Sequence, residues 1–104
     1  MIVCKKRPWG NKQSGERGAM VWIWCPGCDE AHALEVEGTR AWKWNGSEEK
    51  PTFTPSLLVT YGGSDARRCH SFITNGRIQF LGDCTHALKG QTVDLPPLPD
   101  WLVK

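Results

Sequence analysis

The segment from Cys69 to His86, CHSFITNGRIQFLGDCTH, restricts the fold more than any other part of the chain. Its central Asn75-Gly76 pair predicts a two-residue type I′ turn, because both central positions of that turn need a positive φ. The turn would pair Thr74 with Arg77, Ile73 with Ile78, Phe72 with Gln79 and Ser71 with Phe80. Since side chains alternate along a strand, Cys69 would point towards the core and His70 towards the opposite face.

Other parts of the chain also predict strands rather than helices. Gly and Pro interrupt nearly every stretch, and no window of a dozen residues keeps apolar side chains at helical spacing. Strands are predicted over 19–25, 32–38, 39–46 and 56–61, the last ending at Gly62-Gly63. We expect the second and third of these to pair as a hairpin.

Six tryptophans are unusual in a chain of 104 residues. Four of them form two alternating pairs, WIW over 22–24 and WKW over 42–44. We predict that they fill a small β core, with stacking platforms for bases or sugars as the alternative interpretation. In the proline-rich end of the chain, Trp101 and Leu102 are predicted to anchor the last residues onto the core.

Length and charge exclude several classes of protein. A chain of 104 residues is one domain by size, and its net charge of +2 gives no general footprint for nucleic acid or membrane. Neither a signal peptide nor a run of about 20 apolar residues is present, so we expect a soluble, cytosolic protein. Five cysteines, an odd number, favour metal binding or catalysis over a disulfide scaffold.

The CPGC sequence at 25–28 has the spacing of a zinc knuckle. Candidates for the other ligands are His32, Cys69, His70, Cys84 and His86. Cys69 is the best third ligand because the hairpin sends it to the core face. For the fourth ligand we choose Cys84 over His86 on thiolate preference alone, and His32 stays open. A redox Cys-x-x-Cys is the competing interpretation, but it would need a following helix where a strand is predicted.

These patterns together predict the fold class and the division of the chain. The fold class is mostly β: a small antiparallel β domain with a zinc knuckle, similar to a zinc ribbon. Zn²⁺ bound by Cys25, Cys28, Cys69 and Cys84 would stabilise a domain whose apolar core is thin. Residues 1–18 are predicted to be a basic, solvated amino-terminal arm, and residues 19–104 a single zinc-stabilised domain.

The remaining polar residues allow a hydrolytic site. Ser56 follows Pro55 at the start of an apolar strand, and His70 points away from the metal face, so His70 could accept the serine proton and Asp83 could orient its ring. A second arrangement uses Cys84 as the nucleophile with His70 or His86. A third, a catalytic zinc with Glu30 or Asp83 as base, ranks lowest because thiolate-rich sites are usually closed.

Three stretches of the sequence resemble a known family. They are WCPGC with a following histidine, KPTFTPSLLV, and CHSFITNGRIQFLGDCTHALKGQTVDLP, and together they span roughly residues 20 to 97. They are similar to small phage and prophage proteins, which are similar in turn to the zinc-containing peptidases of bacterial ubiquitin-like (Bub) operons. The resemblance implies Ser56 as nucleophile, His70 as base, and Cys25, Cys28 and Cys69 as metal ligands. The chain departs from the pattern in having CHSF in place of Ser-His-Phe and in adding DCTH.

The resemblance also implies a function. It predicts a zinc-stabilised phage or prophage protein that acts as a serine-type peptidase on ester or isopeptide bonds of ubiquitin-like conjugates. The partner would be a protein in the bacterial cytoplasm, with no membrane and no nucleic acid. One alternative is a non-catalytic zinc module that binds a host protein or nucleic acid through its tryptophans. Another is a cysteine hydrolase that uses Cys84.

Overall fold

The computed structural model describes residues 1–38, 41–61 and 67–103, and over these residues the chain is almost entirely β. The strands are β1 (Cys4–Gly10), β2 (Arg17–Cys25), β3 (Glu30–Glu35), β4 (Lys43–Trp44), β5 (Phe53–Tyr61), β6 (Arg67–Thr74), β7 (Arg77–Phe80) and β8 (Thr92–Asp94), followed by the short helix α1 (Asp100–Val103). They form two antiparallel sheets, ordered β1-β2-β3 and β4-β5-β6-β7-β8. The predicted mostly β, antiparallel fold class is confirmed.

Alternating burial joins the two sheets through one core. On β2, Val21, Ile23 and Cys25 are buried, and on β6 the same period of two buries Cys69 and Ile73. Side chains from both sheets form a single hydrophobic cluster. Because cysteines occupy inner positions on both sheets, the fold itself brings thiols from distant parts of the sequence together.

The β6–β7 hairpin has the predicted register. Ser71 pairs with Phe80 and Thr74 with Arg77, and the two turn residues have φ values of 55° at Asn75 and 79° at Gly76. The predicted faces are also confirmed, since Cys69 is buried while Phe72 is exposed on the other side.

The predicted hairpin between 32–38 and 39–46 is wrong. Strand β3 pairs with β2, whereas β4 pairs with β5 in the other sheet. The physical reason is the four-residue knuckle turn between Cys25 and Glu30, which returns the chain directly alongside β2. Residues 39 and 40 lie outside the described residues, as do Gly62 and Gly63, which were predicted to end the strand over 56–61.

The amino-terminal segment also differs from the prediction of a solvated arm. Residues 4–10 form β1, and every one of them pairs with β2. Cys4 is buried in the core, and the Arg7 guanidinium donates a hydrogen bond to the Leu102 carbonyl at 2.6 Å. The unpaired edge that β2 would otherwise present explains why this segment adds to the sheet.

The tryptophans of the described chain do not fill the core. In the WIW sequence it is Ile23 that points inward, so Trp22 and Trp24 lie on the outer face of β2. Trp42 and Trp44 pack against the margin of the core, and Trp101 is exposed with its edge against Trp24. Leu102, in contrast, is buried as predicted. No helix in the described chain has the length and apolar character that crossing a membrane requires.

We expect Gly76→Ala to lower the free energy of unfolding by about 1–2 kcal/mol, because a side chain is strained at positive φ. A Cβ at this position would also lie 3.1 Å from the Glu49 carbonyl oxygen. Gly82→Ala is the matched control, since it has neither a positive φ nor a neighbouring atom within 4 Å. Urea denaturation in the same buffer measures both, and equal losses from the two variants would contradict this account of the turn.

Candidate active site and metal centre

An irregularity in β5 positions Ser56. Phe53 pairs with Ile73 and Leu57 pairs with Ser71. Between these two pairs β5 advances by four residues while β6 advances by only two. The two extra residues displace the chain around Ser56 and leave this serine half-buried. The Ser56 hydroxyl thereby reaches His70, with Oγ 3.0 Å from Nε2.

The imidazole of His70 lies between the serine and a carboxylate. Its Nδ1 is 3.2 Å from Oδ2 of Asp83, which lies in the turn after β7. An ionised carboxylate only accepts hydrogen bonds, so Nδ1 carries the proton and Nε2 of the neutral ring accepts the Ser56 hydroxyl. This is the arrangement and tautomer in which an imidazole can take a proton from a serine. The structure thus brings together the three residues that sequence analysis selected.

Asp83 also has a cationic neighbour. Arg68 Nη1 lies 3.6 Å from the same Oδ2 atom. Desolvation acts to raise the pKa of Asp83, but the hydrogen bond with His70 and the positive charge of Arg68 lower it below its ordinary value. The carboxylate is therefore ionised at neutral pH, as the tautomer assignment requires.

Cys84 contacts the backbone of His70. The buried Cys84 Sγ accepts the His70 N–H at 3.2 Å and donates to the His70 carbonyl at 3.2 Å. A thiol held in this way steadies β6 at the position that carries the imidazole. The contacts favour Ser56 over Cys84 as the partner of the His70 ring.

A group of side chains that could hold a metal ion lies on the inner side of β6. Ligand atoms of Cys25, Cys28, His32 and Cys69 all lie within 4.8 Å of one another. Cys25 ends β2, and Cys28 lies in the turn that follows it. His32 faces inward from β3, and Cys69 faces inward from β6. The group therefore joins the two sheets.

The chemistry of this group fits Zn²⁺. Cys25 Sγ and Cys69 Sγ are 3.8 Å apart, about the separation of two sulfurs bound at about 2.3 Å in a tetrahedron. His32 Nε2 is buried and has no hydrogen-bond partner among the described residues. A buried imidazole nitrogen without a partner is costly unless an ion occupies the space beside it. Three thiols and one imidazole form a donor set typical of structural zinc.

The predicted fourth ligand, Cys84, lies in a different group. Cys69, Cys84 and His86 have ligand atoms within 4.8 Å of one another, but Cys25 and Cys28 are not in this set. The structure places His32 with the knuckle thiols instead. The reason is the β2–β3 pairing, which sets His32 opposite Ile23 on the buried face.

The two thiols at the centre of the group influence each other strongly. The hydrogen bond from Cys69, helped by His32, lowers the pKa of Cys25 against the opposing effect of burial. The same hydrogen bond and burial raise the pKa of Cys69. One thiolate is therefore favoured before an ion binds, which suits a cation site.

Gly27 allows the knuckle to approach the segment after β7. An ideal Cβ at Gly27 would lie 2.3–2.7 Å from three atoms of the His86 imidazole. The His86 ring also packs edge-on against Phe80, with ring centroids 4.5 Å apart. Since any other residue would displace His86, glycine is required here for close packing rather than for its φ.

Sequence analysis missed two residues at the site. Arg68 contacts Asp83, and its position two residues before His70 on the same face of β6 could have revealed it. Trp42 donates from its indole Nε1 to the Ser56 carbonyl at 3.3 Å. No local pattern signals this contact, because it depends on how β4 meets β5.

A serine, a histidine and an aspartate in this chain of contacts have the geometry of the triad that serine hydrolases use. The model of the family BubE, the bacterial ubiquitination-like system serine protease, matches residues 5–81, and the chain belongs to this family. The matched range contains Ser56 and His70 and ends before Asp83. No curated protein and no solved structure matches the chain. The resemblance to Bub-operon peptidases is thus confirmed, and the phage or prophage origin stays a prediction.

We expect His32→Ala to weaken zinc binding by more than about tenfold, because it removes one of four ligands. Cys84→Ser should keep zinc affinity and a content of about one ion per chain, since a hydroxyl can replace both hydrogen bonds to the His70 backbone. Competition with a chromogenic chelator and elemental analysis measure affinity and content. If Cys84→Ser lost zinc affinity and His32→Ala kept it, Cys84 rather than His32 would be the fourth ligand.

Proposed function

We propose that this protein is a serine-type peptidase that hydrolyses ester or isopeptide bonds between a ubiquitin-like protein and its target. The observation that carries the proposal is the continuous contact from Ser56 Oγ to His70 Nε2 and from His70 Nδ1 to Asp83 Oδ2. Membership of the BubE family supports the same class of reaction.

The reaction is an acyl transfer in two halves. Ser56 Oγ attacks the substrate carbonyl while His70 Nε2 takes the hydroxyl proton, and the protonated imidazole then gives that proton to the departing amine or alcohol. Water repeats the sequence on the Ser56 ester and releases the carboxylic acid. Asp83 holds the Nδ1 proton and stabilises the imidazolium, and Arg68 helps to keep Asp83 ionised.

In this proposal the metal is structural. Cys25, Cys28, His32 and Cys69 would hold Zn²⁺ and leave no open coordination position for a substrate. The ion would supply cross-linking between the β2–β3 knuckle and β6. Because Cys69 directly precedes His70, fixing the thiolate also fixes the backbone that carries the imidazole.

The surroundings of the site favour a protein substrate. Leu58 pairs with His70, and Phe72 follows two residues later on the same outer face. Both side chains are exposed, 54% for Leu58 and 42% for Phe72. Apolar side chains exposed around a nucleophile suit contact with another protein. From the motif resemblance we further propose a phage or prophage origin and action in the bacterial cytoplasm.

We expect Ser56→Ala to lower kcat by at least about 10³-fold while zinc content stays unchanged. The substrate is a ubiquitin-like protein with a fluorophore joined to its carboxyl terminus by an ester. Ser14→Ala, in the exposed turn between β1 and β2, is the control. Full cleavage by Ser56→Ala would reject the serine mechanism, and an inactive Cys84→Ser would put the cysteine mechanism in its place. If the unmodified protein does not cleave this substrate, the non-catalytic zinc module is favoured instead.

We expect Asp83→Asn to lower kcat by roughly 10²- to 10⁴-fold, because an amide no longer fixes the productive tautomer of His70. Asp94→Asn is the matched control, since Asp94 pairs with Arg77 at an exposed position away from the triad. Because the pKa of Asp83 is lowered below its ordinary value, its carboxylate stays ionised across the neutral range, so a loss of activity between neutral and weakly acidic pH would come from another group. Equal rates for the two variants would exclude Asp83 from the triad.

A further inference from the structure

Among the described residues, no strand pairs with the outer edge of β5 beyond the β4 pairing, and this stretch is called the open edge. Strand β4 is two residues long and pairs with β5 only at Phe53 and Thr54. From Ser56 to Tyr61, β5 has β6 as its only strand neighbour among the described residues. An unpaired strand edge presents N–H and C=O groups that another extended chain can bind.

The hydrogen bonds of β6 show which backbone groups face that edge. The His70 N–H donates to Cys84 Sγ at 3.2 Å, and the His70 carbonyl accepts the Leu81 N–H at 2.9 Å. Both groups therefore point away from β5. Leu58, directly opposite His70, forms a non-hydrogen-bonded pair with it, so the N–H and C=O of Leu58 point to the open edge.

Thr60 repeats this arrangement two residues later. Its partner Arg68 donates its N–H to Thr85 Oγ1 at 2.9 Å and accepts the Thr85 N–H at 2.9 Å. The backbone groups of Thr60 therefore face the open edge as well. The edge thus offers two donor–acceptor pairs, roughly 7 Å apart along the strand.

The open edge ends at the nucleophile. The Ser56 carbonyl also faces outward, but the Trp42 indole already donates to it at 3.3 Å. Trp42 therefore closes the edge at Ser56 and leaves Leu58 and Thr60 available. A strand added along β5 would have to stop beside the serine hydroxyl.

We propose that the open edge of β5 binds the acyl side of the substrate as an added β-strand, which brings the scissile carbonyl to Ser56. This inference rests on the proposed function. The occupant is an extended terminal peptide, because only such a segment can pair with a strand edge and also end at the bond to be cut. About four of its residues would bind through their backbone, and its outward side chains would meet Leu58 and Phe72.

The test uses esters that carry no ubiquitin-like domain. Acetyl-capped alanyl peptides of two, four or six residues, each ending in a glycyl 4-nitrophenyl ester, are hydrolysed by the wild-type protein. We expect kcat/KM to rise at least tenfold from two to six residues. Single N-methylation of the six-residue ester should reduce kcat/KM at least fivefold at alternate amides and leave the intervening ones unaffected, because only alternate N–H groups face β5.

A protein variant tests the same edge independently. Thr60→Pro removes an outward N–H that β6 does not use, at an edge position where proline is tolerated. We expect it to reduce the ratio of kcat/KM between the six-residue and two-residue esters at least fivefold, whereas Thr60→Val keeps that ratio.

The outcomes separate this inference from the function on which it rests. If Ser56→Ala hydrolyses the two-residue ester as fast as wild type, the proposed function fails and the inference fails with it. If hydrolysis needs Ser56 but kcat/KM does not change with length, or all N-methyl positions behave alike, only the edge inference is overturned. The peptide series uses wild-type protein, so it decides between these outcomes even if Thr60→Pro misfolds.

Discussion

The antiparallel pairing of β5 with β6 is the constraint on which the rest of the structure depends. It places Cys69 on the inner face and His70 on the outer face at consecutive positions of one strand. The inner residue joins the thiols of the other sheet, and the outer one reaches Ser56. A shift of one residue would exchange these faces and destroy the metal group and the serine contact together.

Because Cys69 and His70 are adjacent on β6, an ion bound at Cys69 would also restrict the motion of His70. A chain of this size buries a limited apolar core, so a metal cross-link between the sheets would contribute stability that side-chain packing alone does not supply. The position of the metal group also suits the proposed catalysis, because acyl transfer requires the serine and imidazole to be held within a fraction of an ångström. Zinc bound one residue from His70 would act where that precision is needed.

Local patterns in the sequence were enough to predict part of this arrangement. Asn75-Gly76 fixed the register of its hairpin, and strand alternation then separated the roles of Cys69 and His70. The partner of β3 and the solvated arm were wrongly predicted, because the choice among several available strand edges depends on tertiary packing.

The fourth ligand shows the same limit at the level of the site. Thiolate preference pointed to Cys84, whereas the pairing of β2 with β3 brings His32 to the cluster. Which donor completes a metal group is decided by strand pairing, and the pattern of residue types does not contain that information. Trp42 was missed for the same reason.

The lack of a side chain at Gly27 lets the two sheets pack closely against each other. His86 rests against the Gly27 backbone, and Asp83 lies three residues earlier in the same irregular segment. The segment that carries Asp83 is thus packed, at His86, against a turn of the opposite sheet. A fragment carrying only β4 to β8 would keep Ser56 and His70 but lose the backbone against which the His86 ring rests, so the two sheets are not separable units of this protein.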